Sequence, residues 1–418
     1  MTGIEPTTDF GAVRRAVPRA VHRMPGTSSA ALLSSGRPLT LRGAGHSCDG
    51  QTVTNGDLLV TYAPDTPGSE VRDLGGDLVD VPAGMSWYGL EQELNRRGRT
   101  APVLTDYLHM SVGGTLSVGG MGLNSVRHGL QCDQVERILL SDGTGVPRWC
   151  SRTAHPELFR FALGGLGQAG LIERAVLRTV PHHRHAHVHR VRHTTVTELA
   201  AYAERIADRD DIEHYNAYLS GGDLHTETGW YTDAPRPCRP QDCTIVPDLP
   251  FALHERRERW LAAFPGHVRM WTDYVMPAEQ FAPMLATVDA HRRRPPLSRT
   301  LKAMYVLLVR RPPDATRFAF APAGPVPVSL GVGMYTLVDR RDPLAVAATR
   351  RALRTLLERC RDLGGRPYLY GTNDLDAPLL KDLYGTDLDR LAQLRATHRL
   401  EHVNAHVLVG QTSGAFRP

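Results

Sequence analysis

The segment of residues 111–122 is the feature that most constrains how this chain can fold. It reads Ser-Val-Gly-Gly-Thr-Leu-Ser-Val-Gly-Gly-Met-Gly, with five glycines and three hydroxyl residues among twelve positions. Glycine destabilises the interior of a helix or strand because it loses the most backbone freedom on folding. The pattern therefore predicts neither a packed strand nor a stable helix. Its backbone N–H groups and hydroxyls suit a pyrophosphate.

Two more glycine-rich segments occur in the first half of the chain, at residues 42–51 and 163–172. In the earlier one, Gly43 and Gly45 permit backbone angles that gather N–H groups into an anion-binding nest. None of the three segments matches the P-loop pattern GxxxxGK[ST]. None opens a helix as GxGxxG with an acidic residue about 20 positions later, so a Rossmann dinucleotide site is disfavoured as well.

Composition excludes several classes of protein. The 418 residues are 41% hydrophobic and 22% charged, which is enough to bury a large core. The formal net charge of +5 is not concentrated in any basic run, so we expect no nucleic-acid partner. No apolar signal segment opens the chain, and no stretch approaches the roughly 18 apolar residues of a membrane span. We expect a cytoplasmic protein that does not interact with membranes.

The six cysteines predict neither a zinc site nor a disulfide framework, because no CxxC pair occurs. Cys238 and Cys243 could form a small disulfide, but we expect two thiols there. The histidines at 185, 187 and 189 alternate along one predicted strand and share a face. We interpret them as an exposed strand, since no carboxylate or cysteine completes a metal site. We therefore expect no metal.

The composition of the sequence changes after Pro181, where glycine becomes rarer. Strands are predicted at 268–276, 301–309 and 329–338, and helices at 87–97 and 196–208. A further helix is predicted at 343–362, with Asp342 as its N-cap and Pro343 in its first turn. The order of these elements favours an antiparallel sheet with helices on one face.

In this order, the glycine segments resemble the PCMH-type FAD-binding flavoproteins of the vanillyl-alcohol oxidase superfamily, and among them most closely the cytokinin dehydrogenases. The resemblance rests on residues 43–47 with Gln51, on residues 105–108 followed by 112–117, and on residues 156–159 followed by 164–172. It implies an α+β fold. Residues 1–181 would form an FAD-binding domain of two α+β subdomains. Residues 182–365 would form a substrate domain with an antiparallel sheet flanked by helices, and residues 366–418 would return to the first domain.

The resemblance also implies the residues that bind FAD. These are Arg42, Gly43, Ala44, Gly45, His46, Ser47, Gln51, Asp106, Tyr107, Ser111, Gly113, Gly114, Ser117, Gly119, Gly120, Met121, Gly170, Ile172, Tyr368 and Gln411. His46 stands where relatives attach the flavin covalently, and an ordinary histidine pKa of about 6.5 allows a neutral nucleophile. Tyr107 occupies the position of a second, cysteinyl link in some relatives, so we expect a single link through His46.

Asp106 stands where the cytokinin-oxidising relatives have the catalytic carboxylate. Oxidation at carbon is easier when the neighbouring N–H or O–H loses its proton, so the reaction needs a base beside the flavin. A carboxylate desolvated by flavin and apolar walls would have a raised pKa and could accept that proton. His109, three residues later, is a secondary candidate that would modulate Asp106.

We therefore expect an FAD-dependent oxidase or dehydrogenase that oxidises a small organic molecule, at an amine C–N bond, with dioxygen or another compound as electron acceptor. Alcohol oxidation and oxidative cyclisation in a biosynthetic pathway are alternatives. So are a non-redox cyclase on the flavoprotein scaffold and a flavin-binding protein without turnover. The sequence leaves the substrate, the acceptor and the oligomeric state open.

Overall fold

The computed structural model describes residues 5–24, 29–62, 70–220, 222–234, 243–324 and 326–408. A short hairpin begins it, formed by β1 (Thr7–Thr8) and β2 (Arg15–Ala16). A small sheet follows, in which β3 (Ala20–Met24) and β4 (Leu39–Arg42) both pair in parallel with the central β5 (Leu58–Tyr62). Helix α1 (Ser29–Leu33) connects β3 to β4. This strand–helix–strand unit ends at the first glycine segment.

The second sheet has five antiparallel strands in the order β10-β9-β11-β7-β6. Its strands are β6 (Arg72–Asp73), β7 (Leu78–Pro82), β9 (Val135–Ser141), β10 (Arg148–Ser151) and β11 (Leu171–Arg178). The helices of this region are α2 (Trp87–Arg96), α3 (Val112–Leu116), α4 (Ser125–His128) and α5 (Pro156–Ala162), with a 3-10 turn at Gln131–Gln134. Two short strands, β8 (Arg99–Thr100) and β12 (Val180–Pro181), pair with each other.

The third sheet has eight antiparallel strands in the order β16-β13-β15-β14-β18-β19-β17-β20. They are β13 (His185–Arg192), β14 (His214–Ser220), β15 (Asp223–Thr232), β16 (Cys243–Pro247), β17 (His267–Pro277), β18 (Leu301–Arg310), β19 (Val328–Asp339) and β20 (Arg366–Pro367). The helices of this part are α6 (Val196–Ala207), α7 (Leu249–Ala262), α8 (Phe281–Arg292), α9 (Leu297–Thr300) and α10 (Pro343–Asp362), with a 3-10 turn at Ala278–Gln280. The predicted α+β architecture is confirmed.

The two faces of the large sheet have different neighbours because successive side chains of a strand point to opposite sides. On β17, Tyr274 faces α10, and its hydroxyl donates to the backbone oxygen of Leu353 at 2.8 Å. Trp271 faces the other way and contacts Trp260 of α7, with ring centroids 5.5 Å apart. Helix α8 contacts both α6 and α10 on the sheet. The α7 side is the one that meets the glycine segments.

Local signals predicted the long helix correctly. Helix α10 begins and ends where it was expected, and the Asp342 side chain accepts a hydrogen bond from the Ala345 N–H at 2.9 Å. The expectation for residues 111–122 was partly wrong, because α3 lies within it. The Trp87 indole donates to the Thr115 hydroxyl at 2.7 Å, and Val112 and Leu116 are buried. Tertiary contacts therefore stabilise a helical turn that glycine disfavours.

The last described residues contact the first sheet. Helices α11 (Ala377–Tyr384) and α12 (Thr386–Thr397) precede a segment in which Val403 bridges to Leu39 of β4. The Asn404 side chain accepts a hydrogen bond from the Leu41 N–H at 2.7 Å. No helix among the described residues is long and apolar enough to span a bilayer.

Candidate functional site

A large cavity lies between the glycine segments and the α7 side of the eight-stranded sheet. It holds about 1710 Å³ of empty space, counting its open mouth. Most of the residues predicted to bind the cofactor line it: Arg42, Gly43, Ala44, Gly45, His46, Ser47, Gln51, Asp106, Tyr107, Ser111, Gly113, Gly114, Ser117, Met121, Gly170, Ile172 and Tyr368. Three segments far apart in sequence therefore meet around one space.

Glycine is required where the first two segments touch. A Cβ atom on Gly43 would overlap the Ser111 hydroxyl and lie 3.3 Å from the α-carbon of Gly114. A Cβ on Gly114 would lie 2.7 Å from the same hydroxyl. The Ser111 hydroxyl in turn accepts a hydrogen bond from the Ala44 N–H at 3.3 Å. The result is a cradle of bare backbone that fits a pyrophosphate.

The third segment joins this cradle through Tyr62. A Cβ on Gly113 would lie 2.8 Å from Ala83 and 3.2 Å from the Tyr62 hydroxyl. That hydroxyl donates a short hydrogen bond to the backbone oxygen of Ile172. Burial raises the pKa of Tyr62, so the phenol stays protonated as a donor.

Two of the predicted cofactor residues do not line the cavity. Gly119 and Gly120 are not among the cavity-lining residues, and a Cβ on Gly119 would lie 2.7 Å from Pro322. A Cβ on Gly120 would overlap the side-chain oxygen of Gln131, so this glycine packs against the protein. Gln411 lies outside the described residues.

Arg42 and Gln51 line the cavity, but their side chains bond to the protein. The Arg42 guanidinium donates to the backbone oxygens of Thr52 at 3.1 Å and Thr8 at 3.0 Å. The Gln51 side-chain nitrogen donates to the backbone oxygens of Leu369 and Gly371, each at 3.0 Å. Both residues therefore fix the loop that carries His46.

His46 lies between two aromatic rings at the cavity wall. Its ring centroid is 4.7 Å from that of Phe10 and 4.8 Å from that of Tyr107. Burial, with smaller contributions from Arg42, His109 and Arg269, lowers the pKa of His46 to about 4. The imidazole is therefore neutral at pH 7, as a nucleophile must be.

The surroundings of Asp106 differ from the prediction of apolar walls. Its carboxylate forms an ion pair with Arg257 of α7, and the Arg257 Nε lies 2.9 Å from Oδ2. The Asp106 side chain is 39% exposed, whereas that of Arg257 is 15% exposed. Burial alone would lower the pKa of Arg257, but Asp106 raises it overall, so the guanidinium is permanently charged. A cation thus balances the carboxylate.

Arg257 could not be predicted from the sequence, because nothing in its local pattern distinguishes it from other helical arginines. In the structure its guanidinium carbon lies 4.5 Å from the Tyr335 ring centroid, 5.4 Å from that of Trp260 and 5.6 Å from that of Trp271. It also donates to the Tyr335 hydroxyl at 3.3 Å. Arginine stacked on aromatic rings is held rigidly, which fixes the position of Asp106.

A histidine cluster lies beside this pair. Ligand atoms of His109, His254 and Glu258 lie within 4.8 Å of one another. The Nδ1 of His254, however, accepts a hydrogen bond from the Leu108 N–H at 3.1 Å, so its proton sits on Nε2. A protonated Nε2 cannot bind a metal, and the geometry does not favour a metal site here. The Nε2 of His109 lies 3.4 Å from Oε1 of Glu258, and its influence on Asp106 stays a prediction.

Two sequence expectations outside the cavity were wrong. His187 is buried rather than exposed, and its ring stacks on Trp230 with centroids 5.3 Å apart. Cys243 is disulfide-bonded, whereas a thiol was expected; Cys238 lies outside the described residues. The buried Cys48 is free, and it is not among the residues that line the cavity.

Comparison with known proteins agrees with the geometry. A family model described as an FAD binding domain matches residues 29–151. An uncharacterized oxidoreductase, ORF5 in the fasciation locus of Rhodococcoides fascians, is 28% identical over 79% of this chain and 78% of its own length. Cytokinin dehydrogenase 5 of Oryza sativa subsp. japonica is 33% identical over 49% of this chain and 41% of its own length.

Cytokinin dehydrogenase 4 of Arabidopsis thaliana is 40% identical over 32% of this chain. That alignment covers 26% of the Arabidopsis protein, so the similarity to these two cytokinin dehydrogenases spans less than half of their length. The chain is an FAD-dependent oxidoreductase with a PCMH-type FAD-binding domain, similar to the cytokinin dehydrogenases.

Proposed function

We propose that this flavoprotein oxidises a small amine at a C–N bond, with Asp106 as the proton acceptor. The observation that carries the proposal is that the glycine cradle and the Asp106–Arg257 pair open into the same cavity. The names of several relatives make a cytokinin the first substrate to test.

Residues of three segments would hold the FAD. Gly43, Gly113, Gly114 and Ser111 would contact its phosphates, and Ile172 the adenine end, because a side chain at the glycine positions would fill the space. His46 would attach the flavin covalently, since its imidazole is neutral and lies at the cavity wall. When bound, FAD supplies a two-electron acceptor that takes hydride from carbon.

Asp106 is suited to a substrate amine. Both hydrogen bonds from Arg257 end on its Oδ2, and no described residue donates to its Oδ1. The free oxygen can therefore receive a substrate N–H, orient it, and accept its proton. The ionised carboxylate also attracts a cationic amine.

The remaining walls are suited to an apolar substrate body. Tyr335, Trp271 and Tyr305 come from the large sheet, and Leu253 and Leu261 come from α7. Such a wall binds an aromatic or branched aliphatic group and excludes water from the reacting atoms.

Anaerobic mixing tests the proposal. The purified holoenzyme is mixed with benzylamine, N-methylbenzylamine, benzyl alcohol and a cytokinin, and flavin absorbance is followed. We expect an amine to bleach the flavin, and Asp106→Asn to slow the bleaching about 100-fold at saturating amine, a typical contribution of a general base. Re-aeration then shows whether dioxygen is the acceptor.

Other outcomes would assign a different function. Bleaching by the alcohol alone would favour alcohol oxidation. Product formed without bleaching would favour a non-redox cyclase, and a parental rate for Asp106→Asn would remove Asp106 from the role of base.

A further inference from the structure

A second carboxylate lies behind the cavity, in a row that crosses three strands of the large sheet. Asp273 of β17 pairs with Gly333 of β19, and Gly333 pairs with Tyr305 of β18. Because Gly333 has no side chain, the Tyr305 ring crosses over β19 and its hydroxyl donates to Oδ1 of Asp273. A Cβ on Gly333 would overlap the Tyr305 ring and lie 2.6 Å from that oxygen.

The other oxygen of Asp273 has a phenol partner as well. The Tyr370 hydroxyl donates to Oδ2 at 2.8 Å. Asp273 is 1% exposed, and no cationic side chain among the described residues forms an ion pair with it. A buried carboxylate is costly without a paired cation, so an aspartate held only by neutral donors requires an explanation.

The two tyrosines separate Asp273 from the cavity. Tyr305 and Tyr370 both line it, whereas Asp273 does not. The network also extends towards the proposed base, because the rings of Tyr305 and Tyr335 lie 5.0 Å apart between centroids, and Arg257 donates to the Tyr335 hydroxyl at 3.3 Å. A group bound in the cavity can therefore reach Asp273 through one phenol hydroxyl.

The electrostatic surroundings allow Asp273 to change protonation near neutral pH. Burial raises its pKa to about 6, while the hydrogen bonds from Tyr305 and Tyr370 act in the opposite direction. Asp106 raises the pKa further and Arg257 lowers it. The titratable and charged groups around it are Tyr305, Tyr335, Tyr368, Tyr370, Cys48, Asp106 and Arg257.

We propose that Asp273 is a second proton acceptor of this cavity, which a bound substrate reaches through the hydroxyl of Tyr305 or Tyr370. The inference rests on the proposed amine oxidation and explains why one cavity has two carboxylates. Asp106 touches the substrate, and Asp273 acts through a tyrosine.

Oxidation of a protonated amine to a neutral imine requires two proton acceptors. When a primary ammonium group on a carbon that carries hydrogen becomes a neutral imine, the C–H bond breaks and its electron pair leaves as hydride to the two-electron acceptor. Two N–H bonds also break and release two protons. Asp106 takes one. The other passes to the Tyr305 oxygen while the proton of Tyr305 moves to Asp273, so that the tyrosine ends as it began.

Infrared difference spectroscopy of the holoenzyme between pH 8 and pH 5 tests the proposal without a substrate. We expect a protonated-carboxyl signal with a midpoint near pH 6. Asp273→Asn should remove one component of this signal. Asp49→Asn is a matched control, because burial raises the pKa of Asp49 to about 6 as well, and it should keep the component that Asp273→Asn removes. A spectrum of Asp273→Asn identical to the parent's would overturn the proposal.

Tyr305→Phe keeps the ring and removes only the hydroxyl, so it remains informative if Asp273→Asn does not fold. Loss of this donor should raise the infrared midpoint, because the charged carboxylate loses a hydrogen bond. An unchanged midpoint would contradict the role given to Tyr305.

Stopped-flow reduction provides the functional measurement, with whichever of the tested amines bleaches the parent flavin fastest. The parental rate should rise with pH through about 6, where the Asp273 carboxylate becomes ionised. Asp273→Asn and Tyr305→Phe should lose this rise and be about 100-fold slower at pH 8. Parental rates and profiles would overturn the proposal. If no amine bleaches the flavin, the proposed function fails, and the infrared titration alone decides about Asp273.

Two glycine variants provide a test that leaves the side chains of Tyr305 and Asp273 chemically unchanged. Gly333→Ala should displace Tyr305 and shift the infrared midpoint. Gly331→Ala, two residues earlier on β19, should not, because the nearest atom to its Cβ would be a Val275 methyl at 3.2 Å and neither Tyr305 nor Asp273 is among its neighbours. Equal midpoints for the two variants would contradict the coupling between Tyr305 and Asp273.

Discussion

Arg257 donates two hydrogen bonds to one oxygen of Asp106 and leaves the other oxygen without a donor among the described residues. The two residues are 151 positions apart, so the pair joins the glycine-rich first half of the chain to helix α7 beside the large sheet. The free oxygen of this cavity-lining carboxylate is the one that we propose receives the substrate N–H.

Replacing Arg257 by methionine should remove that orientation while keeping much of the length of the side chain. Hydrogen bonds between charged groups contribute about 1.5–3 kcal/mol, so we expect flavin reduction to be about 10- to 100-fold less efficient. Arg259→Met is the matched control, because Arg259 lies on the same helix with a side chain that is 72% exposed. Anaerobic reduction rates check the prediction, and equal losses in both variants would contradict it.

Replacing His46 by alanine should abolish covalent flavin attachment. After denaturation, yellow fluorescence should remain with the parent chain and with His109→Ala but not with His46→Ala. The lowered pKa, about 4, keeps the imidazole neutral well into the acidic range. Apoprotein incubated with FAD should therefore form the link equally at pH 7 and pH 5, and lose this ability only as the pH falls through about 4. Covalent flavin in His46→Ala would show that the anchor is another residue.

Replacing Gly43 by alanine should weaken FAD binding. The new Cβ would overlap the Ser111 hydroxyl in the cradle, and overpacking of this kind costs about 1–3 kcal/mol, which corresponds to roughly a 5- to 150-fold loss of affinity. Gly324→Ala is the control, because no described atom lies within 4 Å of the position that its Cβ would take. Flavin titration of the apoproteins measures the difference, and equal affinities would show that the cradle does not contact FAD.

We expect a buried ion pair between the first half of the chain and the large-sheet region to contribute strongly to the free energy of unfolding. Arg311 and Asp133 are both buried, with Arg311 Nη2 2.6 Å from Asp133 Oδ1. Arg311→Met leaves an unpaired buried carboxylate and should lower the free energy of unfolding by about 3–5 kcal/mol. Arg341→Met removes an exposed pair and should change the free energy of unfolding far less. Urea unfolding compares them; a similar loss in both would contradict the prediction.

The sequence was sufficient to predict those features that depend on a short local pattern. Asp342 and Pro343 defined the start of α10, and the glycines at 43 and 114 marked the cradle. Contacts between residues far apart in the sequence could not be predicted from such local patterns. Arg257 lies in a helix with no distinctive pattern, and only the approach of α7 to the first half of the chain gives it a partner. Neighbouring glycines in one motif also differ in position, because Gly113 lines the cavity, whereas Gly120 does not line it and packs against Gln131.

The contact of Val403 and Asn404 with β4 has a consequence for how the protein is made. The strand that leads into the His46 loop is synthesised early, but the asparagine that holds it follows Leu41 by 363 residues. The flavin-binding half therefore cannot reach its final form while the ribosome is still translating the large sheet. The strand before His46 thus gains its Asn404 contact only late in folding.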